Sequence, residues 1–256
     1  MDIALLGLGR LGSSLGPLLE SAGHRVLPWR RGEPFPQADV AWLTVSDGAV
    51  AQVAAALPPG PIVLHASGAL DVGVLRPHRP AGSLHPLQSF PGPSVAIPPL
   101  TGVPAAVAGD AEAVAVARQL AVDLGMKPVH VPGDRRLYHA AAVIAGNFST
   151  TLLAEGAALL VQAGVAPSEA AGLLVPLARA SLEQALERGP MQALTGPFPR
   201  GDHATIGAHL AAIRALDADL SELYEVLGRR TTQRLRQEDR LDTETSRTLI
   251  RILGRE

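Results

Sequence analysis

Gly7, Gly9 and Gly12 spell G-x-G-x-x-G directly behind a short apolar run, DIALL, and ahead of leucines at helical spacing. A diphosphate cradle needs that placement. The first glycine permits a tight turn, the second lets the main chain approach a pyrophosphate, and the third lets helix and strand pack closely. The helix N-terminus behind them offers free N–H groups and partial positive charge. In a chain with 26 glycines the string alone carries little; its position between strand and helix carries the reading. Gly7, Leu8, Gly9, Arg10, Leu11 and Gly12 are therefore expected to hold a dinucleotide. Some twenty residues on, an acid would hold a ribose 2′-hydroxyl, whereas arginine favours a 2′-phosphate. Here the second apolar run ends at Trp29, followed by Arg30 and Arg31, so the expected cofactor is NADP(H).

A second group of polar residues follows the later apolar runs. Val45, Ser46 and Asp47 close the third run and are expected beside the cofactor. LHASGAL supplies His65 and Ser67, and SLHPLQSF supplies His85 and Gln88. YHAAAVIAGN supplies Tyr138, His139 and Asn147, and ALTGPFPRGD supplies Arg200 and Asp202. Histidines near their ordinary pKa suit proton transfer at neutral pH, so His139 or His85 is the expected proton donor. Asn147 and Ser67 would orient a substrate, with Tyr138, His65 and Gln88 lining it. A guanidinium fork suits a carboxylate, so Arg200, steadied by Asp202, is the expected anchor for one. His203 and His209, six apart on a helix, face largely opposite sides, and no metal site is expected.

These residues need elements to hold them. Strands are expected at 2–6, 24–29, 38–45, 61–67, 105–109 and 127–131, with helices after the first glycine turn, over 48–57 and over 110–125. The third run is apolar almost throughout, as a parallel strand covered on both faces would be. Such alternation implies a Rossmann-type parallel sheet of right-handed crossovers. The proline-rich stretch 77–104 reads as ordered irregular structure. From Asp134 on, strand signal fades. Helices are expected over 137–163, 167–188, 203–237 (one or two) and 242–253, with a loop at 193–202. The fold class is thus α/β followed by all-α: a dinucleotide-binding domain over 1–133 and a helical domain over 134–256.

Composition narrows the function classes. Hydrophobic residues make up 47% and charged residues 18%, which is globular composition. A formal charge of -2 and 3% aromatics argue against a nucleic-acid binder. There is no cysteine, which excludes disulfides and thiol catalysis. Lys127 is the only lysine, so 21 of the basic residues are arginine and an isolated arginine carries little signal. No uninterrupted apolar run of about 18 residues occurs, and no basic n-region precedes the first strand, so a cytoplasmic chain without a membrane partner is expected.

Taken together, GLGRLG, ADVAWLTVSD, LHASGAL, SLHPLQSF, YHAAAVIAGN and ALTGPFPRGD resemble the bacterial family that joins a Rossmann-like domain to a helical "domain of unknown function 2520". SLHPLQSF and LTGPFPRGD are the most specific segments. That family is similar in layout to 6-phosphogluconate dehydrogenase, pyrroline-5-carboxylate reductase and ketopantoate reductase. The resemblance implies an NADP-dependent oxidoreductase acting on a small carbonyl (a ketopantoate-like 2-oxo acid) or imine in an interdomain cleft. It also implies a homodimer formed through the helical domain. Two of those enzymes place a lysine one turn before the asparagine matched here by Asn147; this chain has Val143 there, and Lys127 lies upstream of that helix. The alternative function is a non-catalytic NADP(H)-binding redox sensor or scaffold.

Overall fold

The computed structural model describes residues 1–92, 95 and 99–254, so part of the proline-rich stretch lies outside the described residues. The chain separates into two compact units, Met1–Phe148 and Ser149–Glu256.

The first unit is a seven-stranded sheet in the order β2-β1-β3-β4-β5-β6-β7. β1 (Asp2–Leu6), β2 (Arg25–Trp29), β3 (Val40–Leu43), β4 (Ile62–His65) and β5 (Ala81–Pro86) run parallel. β6 (Pro104–Gly109) is antiparallel to β5, and β7 (Lys127–His130) is parallel to β6. The period-2 alternation of side chains sends the residues of the central strands into two cores, one on each face of the sheet, whereas the edge strands β2 and β7 are largely exposed or half-buried. Ile3 and Leu5 enter one core with Leu15 and Leu19 of α1 (Arg10–Ser21) and Leu120 of α3 (Ala111–Asp123). Ala4 and Leu6 enter the other with Val50 and Val53 of α2 (Asp47–Ala54). Chain direction across the sheet reverses between β1, which leads outward to β2, and β3, which leads inward to β4. Ligands of open α/β sheets bind at that switch point.

One expectation is corrected. The stretch 77–104 is not wholly irregular: β5 lies inside it, paired His65 to Ser83 with β4 and His85 to Ala106 with β6. The sheet is mostly parallel, as expected, with β6 returning beside β5 as an antiparallel neighbour.

After β7, Asp134 caps α4 (Arg135–Ala142) by accepting the Arg136 N–H at 2.8 Å. A π-helical turn, Val143–Asn147, then leads into α5 (Phe148–Gln162). The second unit continues with α6 (Pro167–Arg188), the short α7 (Pro190–Ala193), α8 (His203–Arg214), α9 (Ala218–Gln237) and α10 (Thr243–Ile252). Asp217 splits the 203–237 helix in two by accepting the Leu220 N–H at 2.9 Å, an N-cap geometry. Ile206, Leu210, Leu235, Leu241, Leu249 and Leu253 form this unit's core.

α5 buries no residue and α6 buries only Ala170. Leu177, Leu182 and Leu186 on α6 are 65%, 64% and 88% exposed. The helical run 135–162 is long and apolar enough to cross a membrane by length and composition, with mean hydropathy 1.3, and none of the qualifying window is buried.

Candidate functional site

The glycine loop shows three distinct local needs. Gly7 has φ +106, and a Cβ there would stand 2.7 Å from Val45 Cγ1 and 2.8 Å from the Val45 amide nitrogen. A Cβ on Gly12 would collide with the Gly7 carbonyl oxygen and come within 2.7 Å of Thr44 Oγ1. At Gly9 the same atom meets nothing within 4 Å. Gly7 and Gly12 are thus required by packing, whereas the main chain at Gly9 faces open space from which a ligand can approach. α1 begins on Gly9 without a side-chain cap and without an acid in its first turn, so its leading N–H groups have no competing carboxylate. Thr44, which sequence patterning missed, donates to the Gly7 carbonyl at 2.6 Å and ties the loop to the end of β3.

Beside this loop lies a cavity of about 420 Å³ lined by Leu6, Gly7, Leu8, Trp29, Arg30, Arg31, Val45 and Val53. Arg30 and Arg31 are exposed, while the Trp29 indole is buried and donates to the Glu33 carbonyl at 3.0 Å. Arg10 is exposed at the start of α1, and Leu11 packs against the core on that side of the sheet. Ser46 is the exposed N-cap of α2, with Asp47 its first residue. A dinucleotide fits these residues: an open main-chain approach at Gly9, an uncapped helix start, and two cations on an apolar cavity at the end of β2.

A second cluster forms where β4 and β5 end and α4 begins. His65 is fully buried; its Nδ1 accepts the Ser67 N–H at 3.2 Å, and its Nε2 has no partner among the described residues. Burial, and then the Arg135 charge, lower its pKa from 6.5 to about 4, so His65 is neutral at ordinary pH. Ser67 is buried, and its hydroxyl oxygen accepts the N–H groups of Ala69 and Leu70 at 3.2 and 3.0 Å. His85 Nδ1 and Tyr138 Oη are 2.9 Å apart, a hydrogen bond whose direction depends on the ring tautomer. The His85 and His139 rings meet edge to face with centroids 6.3 Å apart. Burial first, then Arg135 and His139, lower the His85 pKa to about 4. Burial raises the Tyr138 pKa. A Cβ on Gly68 would come within 2.8 Å of His139 Cδ2 and 2.9 Å of His85 Nε2, so the two rings close over a glycine.

Arg135 was not singled out by sequence. It is 8% exposed and donates through Nη2 to the Ser67 carbonyl at 3.0 Å. Its Cζ lies 5.2 Å from the Tyr138 ring centroid. The signal available was spacing: Arg135, Tyr138 and His139 fall at i, i+3 and i+4, one face of a helix.

The structure thus gathers His65, Ser67, His85, Tyr138 and His139 in the first unit. Gln88 is half-buried in the bend after β5, and Asn147 closes the π turn. Arg200 and Asp202 lie in the second unit, with Arg200 Nη2 3.7 Å from an Asp202 oxygen. Asp202 caps α8, accepting the Thr205 N–H at 3.1 Å and hydroxyl at 2.8 Å.

The model of the family described as "Domain of unknown function (DUF2520)" matches residues 103–231. A curated glycerol-3-phosphate dehydrogenase [NAD(P)+] from Gloeobacter violaceus is 37% identical over 124 residues, covering 41% of this chain and 40% of that protein. The chain therefore spans about two fifths of the length of the curated relative it matches. Among solved structures, a Bacteroides fragilis protein described as a candidate NADP oxidoreductase superposes with TM-score 0.76 at 24% identity, covering 90% of this chain and 97% of that one. A 1-pyrroline-5-carboxylate reductase from Streptococcus pyogenes superposes with TM-score 0.57 at 13% identity, covering 100% and 99%. At such identities these likenesses establish the fold, a Rossmann-type sheet followed by helices.

Proposed function

From the premise that the chain belongs to the family described as domain of unknown function 2520, we propose that it is an NADP-dependent oxidoreductase reducing a small carbonyl or imine, with ketopantoate-like 2-oxo acids the leading substrate class. The observation that carries the reading is the glycine loop, packed tight at Gly7 and Gly12 and open at Gly9. The names borne by the relatives, an NAD(P)+-dependent dehydrogenase and a pyrroline carboxylate reductase, point the same way.

When bound, the nicotinamide dinucleotide supplies the hydride; the protein supplies position and a proton. In this reading residues 7–12 and the start of α1 hold the pyrophosphate. Arg30 and Arg31 pair with the 2′-phosphate, and Val45, Ser46 and Asp47 flank the cofactor. His139 or His85 gives up the proton. With its pKa lowered to about 4, His85 acts as a neutral imidazole, donating a ring N–H or passing on the Tyr138 hydroxyl proton. Ser67, Asn147, His65, Gln88 and Tyr138 shape the substrate's surroundings, and Arg200 beside Asp202 is one guanidinium available to a carboxylate. A homodimer covers the leucine-rich surfaces of α5 and α6.

The test is NADPH oxidation against a panel of 2-oxo acids and cyclic imines, ketopantoate first. Turnover on one of them, reduced roughly 10²–10⁴-fold by His85→Ala or His139→Ala, is the expected result. Tight NADPH binding with no turnover on any panel member would favour the redox sensor instead, a reading that Val143, in place of a lysine, also favours.

A further inference from the structure

Arg135 presents a problem in physical chemistry. A guanidinium carries five N–H donors and a permanent charge. Here it is 92% removed from solvent, and one donor reaches an acceptor, the Ser67 carbonyl. Nε and Nη1, which carry three of the five N–H groups, are buried with no hydrogen-bond partner among the described residues. No aspartate or glutamate lies within salt-bridge distance of it among the described residues. A buried cation without a counter-ion is costly and is tolerated where an anion completes it. Two exposed arginines, by contrast, reach acids: Arg136 pairs with Asp134 at 2.7 Å and Arg214 with Glu225 at 2.6 Å.

We propose that Arg135 is an oxyanion anchor, and that the group it takes is the carboxylate of the small substrate. The assignment deepens the oxidoreductase reading and rests on it for the word substrate. Position selects the carboxylate over a cofactor phosphate. Ser67 and His85 stand at the ends of β4 and β5, whereas the glycine loop follows β1, two strands from β4. At about 4.8 Å per strand that is about 10 Å, too far for the same pyrophosphate to serve both. The neighbours complete the fit. The acid whose charge reaches Arg135 is Asp71, which stands beyond salt-bridge distance and leaves the buried N–H groups unfilled, and Tyr138 and His139 stand on the same helical face as the guanidinium. The Tyr138 ring lies over the cation, its centroid 5.2 Å from Arg135 Cζ, and is itself half-buried.

The experiment is calorimetric titration of the full chain with oxalate, with its neutral isostere oxamide and with inorganic phosphate, in the presence of saturating NADP+ and in its absence. Oxalate is expected to bind and oxamide not. Arg135→Gln should weaken oxalate roughly ten- to hundredfold, more than Arg200→Gln does. Should Arg135→Gln fail to fold, NMR of the wild type decides: oxalate, and not oxamide, should shift the ring signals of Tyr138 and His85. Absence of oxalate binding, binding of phosphate in its place, or a loss carried by Arg200→Gln and not by Arg135→Gln would each overturn the assignment. Oxalate binding without turnover on any substrate leaves the anchor standing and removes the catalytic reading. Turnover of a neutral carbonyl without oxalate binding does the reverse.

Discussion

Acidification should expose the cost of keeping His65 neutral. Its Nδ1 accepts the Ser67 N–H, so protonation would set one N–H against another, in a fully buried site beside the Arg135 charge. Its pKa in the fold is about 4, against an ordinary 6.5 in the unfolded chain. Between those values the unfolded chain binds a proton at this residue and the folded chain does not, so stability falls as pH falls through the window. It stops changing, from this source, below about pH 4 and above about pH 6.5. At 1.36 kcal/mol per pH unit the whole window is worth about 3 kcal/mol. The assay is urea denaturation of the wild type and His65→Asn at pH 7.5, 6.5, 5.5 and 4.5. The asparagine carbonyl can still accept the Ser67 N–H and does not titrate. Subtracting the two profiles cancels the acid-sensitive groups that the His65 charge does not reach, and leaves a smaller contribution from His85, on which it acts. The wild type should lose most of that difference across the series. Parallel profiles, or an NMR titration midpoint for His65 near 6.5, would refute the reasoning.

The glycine loop should separate packing from ligand approach: Gly12→Ala should cost roughly 1–3 kcal/mol in urea denaturation, and Gly9→Ala under about 1 kcal/mol. Equal losses would contradict the separation. The leucines of α6 should hold two copies together, so Leu182→Glu with Leu186→Glu should convert a dimer to a monomer in sedimentation velocity. A wild type that sediments as a monomer, or floats with lipid vesicles, would contradict the dimer.

What the sequence made legible was whatever local pattern dictates. Gly7, Gly9 and Gly12 could be assigned separate duties because a turn, an approach and a close packing each act on the backbone of one residue. α6 was readable to its ends because Pro167 opens it and Gly189 follows its last residue. β5 was hidden because AGSLHP begins after Pro80 and carries Ser83 and His85, which pairing with β4 and β6 buries and which no local propensity favours. Arg135 was hidden for a related reason. In a chain with 21 arginines a single one is unremarkable, and its lack of acceptors exists only once Ser67 and Tyr138 have folded around it. The expected pKa of His85 failed likewise: near 6.5 is ordinary for a histidine, and burial beside Arg135 moves it to about 4.

The most direct measurement of the central claim is a calorimetric titration of NADPH into the wild type, Gly9→Trp and the Arg30→Ala/Arg31→Ala double variant. The wild type should bind saturably. Gly9→Trp should abolish binding, since the indole fills the space from which a pyrophosphate approaches. The double variant should lose at least about tenfold for NADPH and little for NADH. A wild type that takes up no dinucleotide, or a Gly9→Trp chain that binds NADPH as tightly as the wild type, would contradict the account.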